Sequence, residues 1–228
     1  MKKTLLSWSS GKDSAWALHI LRRQPEIEVT GLFCTVNQEF GRVAMHAVRV
    51  ELLQRQAENV GLPVQLIPIP NQCADSEYEV IMTDFIEGAK QQDVECLAFA
   101  DLFLEDIRRY RETNLAGTGI TPIFPLWGIP TKELSREMVN NGLRARITCI
   151  DPKHLTSDFA GQEYDISFLD RLPADVDACG ENGEFHTFAF DGPMFTEEVS
   201  LMVGETVSRD GFIFTDLLPG TPDNHFES

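Results

Sequence analysis

The sequence predicts an α/β protein in which a parallel β-sheet is covered by helices on both faces. Short apolar runs, typical of buried strands, alternate with segments in which apolar residues recur every three or four positions, as on one face of a helix. Four such strand–helix units follow one another before residue 115. Right-handed crossovers place the loop after the first strand at the carboxyl edge of a parallel sheet. Open sheets of this class bind ligands at that edge, so the chemistry is expected there.

The strands and helices of the first half can be assigned in order along the chain. The predicted strands cover residues 4–8, 28–36, 64–69 and 96–100. The first predicted helix begins at Ser14, and the next three cover residues 46–60, 78–90 and 103–114. The second helix is the most regular, because its apolar stripe through His46, Val50 and Leu53 advances by four and three residues in turn.

The pattern of the chain changes after Gly128. We predict a boundary near residues 125–132, which divides the chain into an α/β domain over residues 1–128 and a smaller α+β lobe over residues 129–228. In the lobe, helical segments are predicted at residues 133–139 and 167–172, and strands at residues 145–150, 185–190, 199–203 and 212–215. The tail from residue 220 is expected to fray.

The charge of the chain restricts its partners. Nineteen basic and 36 acidic side chains give 228 residues a formal net charge of −17, which repels phosphate backbones and anionic bilayers. We therefore expect no nucleic-acid partner. A triphosphate site in such a chain must supply its own positive potential from backbone amides, lysine, arginine or Mg²⁺.

The cysteine pattern and the apolar runs predict a cytoplasmic protein without a membrane partner. The cysteines are scattered and form no CxxC pair, so reduced thiols are expected; they are Cys34, Cys73, Cys96, Cys149 and Cys179. The opening apolar run stops at Trp8, too early for a secretion signal, and no apolar run approaches the length of a membrane span.

The loop after the first predicted strand is the first candidate site. It contains Ser9, Ser10, Gly11, Lys12, Asp13 and Ser14. Backbone N–H groups and the positive end of the following helix converge there, and Lys12 with the hydroxyl groups completes a phosphate cradle. The loop lacks the spacing of a Walker motif, and the alternative is an ordinary serine-rich turn capped by Asp13. Its position after the first strand favours a site.

A second candidate site lies at residues 179–187, Cys-Gly-Glu-Asn-Gly-Glu-Phe-His-Thr. Glu181 and Glu184 flank Gly183 in a predicted turn, so both carboxylates are expected to face one cleft and to bind Mg²⁺, ammonium or an amine. His186 would lie on the same strand face as Glu184 and, as a neutral imidazole, accept a proton from ammonia. The alternative is an acidic hairpin turn with a surface histidine.

Asp101 and Glu105 form a third candidate group. Asp101 follows the fourth predicted strand at the expected ligand edge, and Glu105 begins the next helix, so both are interpreted as facing substrate or metal. The alternative is a solvated helix face on which Glu105, Arg108 and Glu112 pair among themselves.

These motifs resemble a known family. The first loop resembles the SGGxDS pyrophosphate loop of the N-type ATP pyrophosphatases, which are adenine nucleotide alpha hydrolases. When residues 100–112 and 179–187 are included, the chain resembles one family in particular, the diphthine–ammonia ligases. This resemblance covers nearly the whole chain. Two of the departures from these strings bear on the chemistry. Ser10 replaces the first glycine, so that a close approach of the backbone to phosphate requires a negative φ there, and His186 replaces a carboxylate in the string that commonly reads GGE[FY]E[TS].

The resemblance implies a Rossmann-like (HUP-like) fold with ATP and Mg²⁺ as cofactors. Residues 1–128 would be the ATP pyrophosphatase-type nucleotide-binding domain, and residues 129–228 the substrate-binding lobe. It also implies adenylation of a carboxylate, release of pyrophosphate, and amide formation with ammonia or an amine as AMP leaves. Lys12, Asp13, Glu184 and His186 would then be catalytic, with Asp13 orienting Mg²⁺. The loop residues Ser9 to Ser14 would bind the nucleotide. The residues expected to face substrate are Asp101, Glu105, Glu181, Asn182, Gly183 and Thr187.

Several alternatives stay open from the sequence. One is an amide-forming paralogue of bacterial type, related to cobalamin salvage. Another is an RNA-modifying ATP pyrophosphatase, although the basic surface and paired cysteine expected of such an enzyme are missing from the sequence. A third is a module that binds ATP without turnover. The sequence does not name the carboxylate, which is a small molecule or a protein side chain, or the source of ammonia, and it leaves a homodimer open.

Overall fold

The fold was analysed in a computed structural model, which describes residues 1–39, 42–43 and 48–220. His46 and the predicted frayed tail beyond residue 220 lie outside the described residues. None of the helices in the described ranges is long and apolar enough to cross a bilayer.

The first sheet confirms the predicted parallel architecture. Its strands within the described residues are β1 (Lys2–Ser7), β2 (Ile27–Asn37), β3 (Arg42–Val43), β4 (Val64–Ile69), β5 (Cys96–Ala98) and β6 (Thr121–Ile123). Five of them run parallel in the order β4-β2-β1-β5-β6, and β3 pairs antiparallel with the end of β2. The helices of this half are α1 (Lys12–Leu21), α2 (Val50–Asn59), α3 (Asp75–Gln91) and α4 (Glu105–Leu115). This is a Rossmann-like α/β sheet.

The centre of the first sheet is buried on both faces. Successive residues of a strand point to opposite faces, so Leu6 joins the apolar cluster on one side and Leu5 joins the cluster on the other. The chain first builds outward from β1 through β2 to β4, and then returns to place β5 on the other side of β1. The strand order therefore reverses between β1 and β5, and a crevice opens at their carboxyl ends.

The second half forms an antiparallel sheet. It contains α5 (Thr131–Asn140), β7 (Arg144–Ile150), α6 (Ile166–Arg171), β8 (Phe185–Asp191), β9 (Leu201–Arg209) and β10 (Phe212–Pro219). The strand order is β8-β7-β10-β9. The largest apolar cluster is shared by the two sheets, because Leu6 and Trp8 of the first half and Phe188 and Phe190 of the second belong to it. The two halves are thus packed together, which fixes the walls of the crevice between them.

Several elements differ from the sequence expectation; β9 and β10, for example, extend to Arg209 and Pro219, six and four residues beyond their predicted ends. The strand β6 was not predicted, because it has only three residues and one of them is Pro122. A proline lacks the N–H group of a ladder and is tolerated at the sheet edge that β6 occupies. The strand β5 ends at Ala98, two residues earlier than predicted. The helix α2 begins at Val50. The proposed division near residue 128 stays a prediction.

Candidate active site

A cavity of about 210 Å³ lies at the crevice between β1 and β5. Its walls come from the loop after β1, the segment after β5, and the residues that lead into β8. Eight predicted site residues line it: Ser9, Lys12, Asp13, Ser14, Asp101, Glu181, His186 and Thr187. The structure thus brings the three separate sequence motifs to one cavity.

The backbone of Ser10 has a left-handed conformation, with a φ of 68°. This corrects the requirement for a negative φ at this position. The cause lies in the lobe and in α2, because the Ser10 carbonyl accepts hydrogen bonds from the Ala189 N–H (2.9 Å) and the Gln56 side-chain amide (3.0 Å). Non-glycine residues are disfavoured in this region by about 1 kcal/mol. The buried Ser10 hydroxyl has no hydrogen-bond partner within the described part of the chain.

We expect the Ser10→Gly variant to be more stable than Ser10→Ala by about 1 kcal/mol, because both lose the unpaired hydroxyl but only glycine relieves the left-handed strain. Urea denaturation of the two variants measures this difference. Equal stability of the two would show that the Ser10 conformation carries no strain.

The Lys12 side chain is only 2% exposed. Its ammonium donates to Asp13 Oδ2 at 2.9 Å and to the Cys179 carbonyl, and it lies 5.3 Å from the ring centroids of both Tyr164 and Phe185. Burial lowers the pKa of Lys12, but the combined effects of Asp13, Cys179 and Glu181 outweigh burial, so the pKa is raised and Lys12 remains charged.

The helix α1 presents its N-terminus to the cavity. Two of the first N–H groups are already bonded, from Gly11 to Ser9 Oγ (3.4 Å) and from Lys12 to Thr187 Oγ1 (3.1 Å). The following N–H groups of the first turn lack intrahelical acceptors by geometry, so an anion is the natural ligand there. The Asp13 Oδ1 atom is buried and has no partner among the described residues, so it is available to a ligand.

Arg111 is a site residue that the sequence analysis missed. Its guanidinium makes two hydrogen bonds to Asp101, at 2.6 and 3.2 Å, and lies 4.4 Å from the Phe99 ring centroid. It also lines the cavity. A usable signal was present, since Leu115 is buried one turn later on α4 and places Arg111 on the inward face of the helix. The two cations of the cavity, Lys12 and Arg111, are thus each paired with a carboxylate.

Glu181 gives the cavity a group that exchanges protons near neutral pH, and His186 gives it an uncharged imidazole. Burial raises the pKa of Glu181 to about 7, although the hydrogen bond from the Leu102 N–H (2.8 Å) opposes the change. Burial, reinforced by the charge of Lys12, lowers the pKa of His186 to about 4. His186 is therefore a neutral imidazole at physiological pH, as the sequence interpretation required.

Glu181 should make the stability of the protein depend on pH. The folded pKa of Glu181, about 7, lies above its ordinary value of 4.5. Its contribution to the free energy of unfolding is therefore complete below pH 4.5 and is lost as the pH rises to about 7. We expect Glu181→Gln to remove this loss, which amounts to at most about 3 kcal/mol. His186 acts with the opposite sign over about pH 4 to 6.5, since its pKa is lowered.

The measurement is urea denaturation of Glu181→Gln and the wild type at several pH values from 4.5 to 8. The difference between their free energies of unfolding reports on Glu181 alone, because His186 is present in both chains. A difference that does not vary with pH would contradict a raised pKa at Glu181.

Glu184 does not line the cavity, although the sequence analysis placed it in one cleft with Glu181. Its carboxylate is buried and accepts hydrogen bonds from the Asp177 N–H (3.0 Å), the Asn182 N–H (3.0 Å) and the Asn182 side-chain amide (2.9 Å). Gly183, with a φ of 89°, reverses the chain between the two glutamates. Glu184 therefore holds the shape of the loop that carries Glu181.

Asp177 supports the same loop and was also missed. Its Oδ2 atom accepts the N–H groups of Cys179 (3.1 Å) and Glu181 (3.0 Å). No sequence signal marked it, because its partners are set by the fold of the loop. Glu105 is exposed at the start of α4 and lies outside the cavity lining. The role assigned to Glu105 stays a prediction.

Asp13 is the residue that best fits a role in holding Mg²⁺. Within the described ranges no three His, Cys, Asp or Glu side chains are grouped to hold a metal ion. Mg²⁺ bound with nucleotide phosphates needs only one or two protein carboxylates, and Asp13 has a free buried oxygen beside the helix N-terminus.

Strand order and cavity together define a Rossmann-like α/β protein with a helix N-terminus facing a polar cavity at the strand-order reversal. Comparison with known protein families then shows the family of the chain. The diphthamide synthase N-terminal domain matches residues 1–120, and the diphthamide synthase C-terminal domain matches residues 130–213. The chain belongs to the diphthamide synthase family, which includes the diphthine–ammonia ligases, as its motifs predicted.

Curated relatives carry the name diphthine–ammonia ligase. The protein from Bos taurus is 26% identical over 161 residues, which are 68% of this chain and 60% of the relative. The protein from Homo sapiens is 28% identical over 156 residues, 60% of this chain and 58% of the relative. The protein from Danio rerio is 32% identical over 118 residues, 48% of this chain and 46% of the relative. The chain thus spans 60% or less of the length of these relatives.

Proposed function

We propose that this protein is an ATP-dependent ligase that joins a carboxylate to ammonia and releases AMP and pyrophosphate. The observation that carries the proposal is the convergence of the loop after β1 with Glu181 and His186 on one cavity of about 210 Å³. The loop after β1 suits a nucleotide phosphate, and the pair Glu181 and His186 suits proton transfer. The family membership of the chain supports the same reaction.

The loop fits a nucleotide through several of its groups. The hydroxyls of Ser9 and Ser14, the helix N-terminus at Gly11, and the unpaired oxygen of Asp13 all lie at the cavity end of β1. Bound there, ATP would activate the carboxylate as its adenylate. Arg111 adds positive charge close to the loop, and Asp13 would hold Mg²⁺ against the phosphates.

Glu181 and His186, on the other side of the cavity, would carry out proton transfer. Ammonia is largely ammonium at neutral pH, and ammonium has no lone pair for attack until it gives up a proton. Glu181, a carboxylate that titrates near pH 7, would be the main acceptor, and His186, a neutral imidazole with a pKa lowered to about 4, would be the weaker one. Glu184 would act as a positioning residue for Glu181. The carboxylate substrate enters the same cavity beside Asp101 and Thr187.

Nucleotide binding tests the first half of this proposal. We expect Arg111→Met to weaken binding of a non-hydrolysable ATP analogue with Mg²⁺ at least about tenfold, since it removes a cation near the phosphates and leaves Asp101 without its partner. Isothermal titration measures the affinity. Arg108→Met is the matched control, because Arg108 lies on the same helix but contacts the rings of Phe124 and Trp127 and is not among the cavity residues.

Product analysis tests the second half. With ATP, ammonium chloride and a series of carboxylates, we expect AMP and pyrophosphate in equal amounts, together with an amide. ADP and phosphate as products would refute the proposal. Failure of the wild type to bind the ATP analogue would refute it as well.

A further inference from the structure

The Lys12 ammonium occupies a cage whose chemistry suits a free ammonium ion. Asp13 supplies a carboxylate oxygen at 2.9 Å, Cys179 supplies a main-chain carbonyl, and the faces of Tyr164 and Phe185 lie 5.3 Å away. A negative oxygen, a neutral oxygen and two aromatic faces are the groups that recognise a small desolvated cation. The Tyr164 ring is held in place by its hydroxyl, which donates to the Ala178 carbonyl at 2.8 Å.

The position of the cage connects it to the reaction. Asp13, Cys179 and Phe185 line the cavity, as do the proton acceptors Glu181 and His186. A cation released from the cage therefore enters the space in which the proposed amide bond forms. The cage is formed where the two halves of the protein meet, with Asp13 from α1 and the other groups from the lobe.

The Lys12 ammonium cannot lie in the cage and contact nucleotide phosphates at the same time. This ammonium is buried and donates to two oxygens of the cage, whereas a nucleotide in the adjoining loop would attract the same charge toward its phosphates. Movement of Lys12 would take away the cation that Asp13 Oδ2 now contacts at 2.9 Å. The Asp13 side chain is partly buried, and Mg²⁺ is assigned to its other oxygen, Oδ1, so a small cation in the place of the ammonium would restore the lost contact at Oδ2.

We infer that this cage is the ammonium-binding site of the enzyme and that Lys12 occupies it until bound nucleotide draws the side chain away. The inference rests on the proposed function, since it assigns a place to the amine donor of that reaction. It predicts an order of events in which the nucleotide opens the ammonium site.

The test is whether ammonium fills the cage when Lys12 is shortened. In Lys12→Ala, ammonium or methylammonium chloride at roughly 100 mM should raise the melting temperature by about 3 °C relative to sodium or tetramethylammonium chloride at the same ionic strength. Lys12→Met is the matched control, because its side chain fills the cage and should abolish the ammonium-specific rise. Equal effects of ammonium and sodium on Lys12→Ala would overturn the inference.

A second measurement keeps the inference testable if Lys12→Ala does not fold. Phe185→Leu preserves an apolar side chain but removes one aromatic face, so the KM for ammonium should rise about tenfold while the KM for ATP stays within about twofold. A parallel rise in both constants would overturn the inference. Absence of ammonium-dependent AMP formation in the wild type would instead refute the proposed function, and the melting experiment would still decide whether the cage binds ammonium.

Discussion

The Lys12→Met variant is expected to be about 3 kcal/mol less stable than the wild type, because it leaves the partly buried Asp13 carboxylate without its counter-ion. The substitution retains most of the side-chain volume, so the lost charge dominates the effect. The Lys12 side chain is 2% exposed and its ammonium also satisfies the Cys179 carbonyl, which would lose its donor. Nucleotide-dependent turnover should fall at least about a hundredfold, since the variant removes a cation from the phosphate loop.

Urea denaturation of Lys12→Met and of the double variant Lys12→Met/Asp13→Leu measures the stability effect. The double variant should recover most of the loss, because removing both members of a buried pair is far less costly than removing one. Lys90→Met serves as the surface control, since the Lys90–Glu87 pair is exposed, and should change stability by less than about 1 kcal/mol. A loss in Lys12→Met no larger than that of the control would show that the buried pair contributes little.

The parts of the fold that depend on local sequence were predictable. A buried strand, a Ser/Gly loop and a helix follow one another in consecutive residues, so the position of the loop from Ser9 to Ser14 between β1 and α1 could be predicted. Its phosphate-binding role stays a prediction. The parallel sheet followed from repetition of the same unit. By contrast, β6 carries too few residues and a proline to give a strand pattern.

The tertiary part of the site was less accessible to sequence. The left-handed Ser10 is imposed by donors from Ala189 and Gln56, which are 179 and 46 residues away. The cage around Lys12 depends on Tyr164, which no motif marked. Glu181 and Glu184 were placed together because they flank one turn, but a positive φ at Gly183 sends their side chains to different surroundings.

That separation leads to the second large effect. Glu184→Ala is expected to lower the free energy of unfolding by about 3 kcal/mol, because the N–H groups of Asp177 and Asn182 lose a buried acceptor. Turnover should fall about a hundredfold, since the loop that carries Glu181 would no longer be held in place. Urea denaturation and AMP formation measure the two effects.

The pH profile separates a positioning role from a catalytic role for Glu184. If Glu184 only holds the loop, the residual activity of Glu184→Ala should keep the wild-type pH dependence, whereas Glu181→Gln should alter the limb near pH 7. Glu79→Ala is the control carboxylate, because Glu79 is exposed on α3 outside the cavity, and both its stability and turnover should match the wild type. An altered pH profile in Glu184→Ala with unchanged stability would instead support the catalytic role predicted from sequence. The contrast matters because Glu184 and Glu181 are three residues apart, yet the hydrogen bonds of the folded loop give them separate tasks.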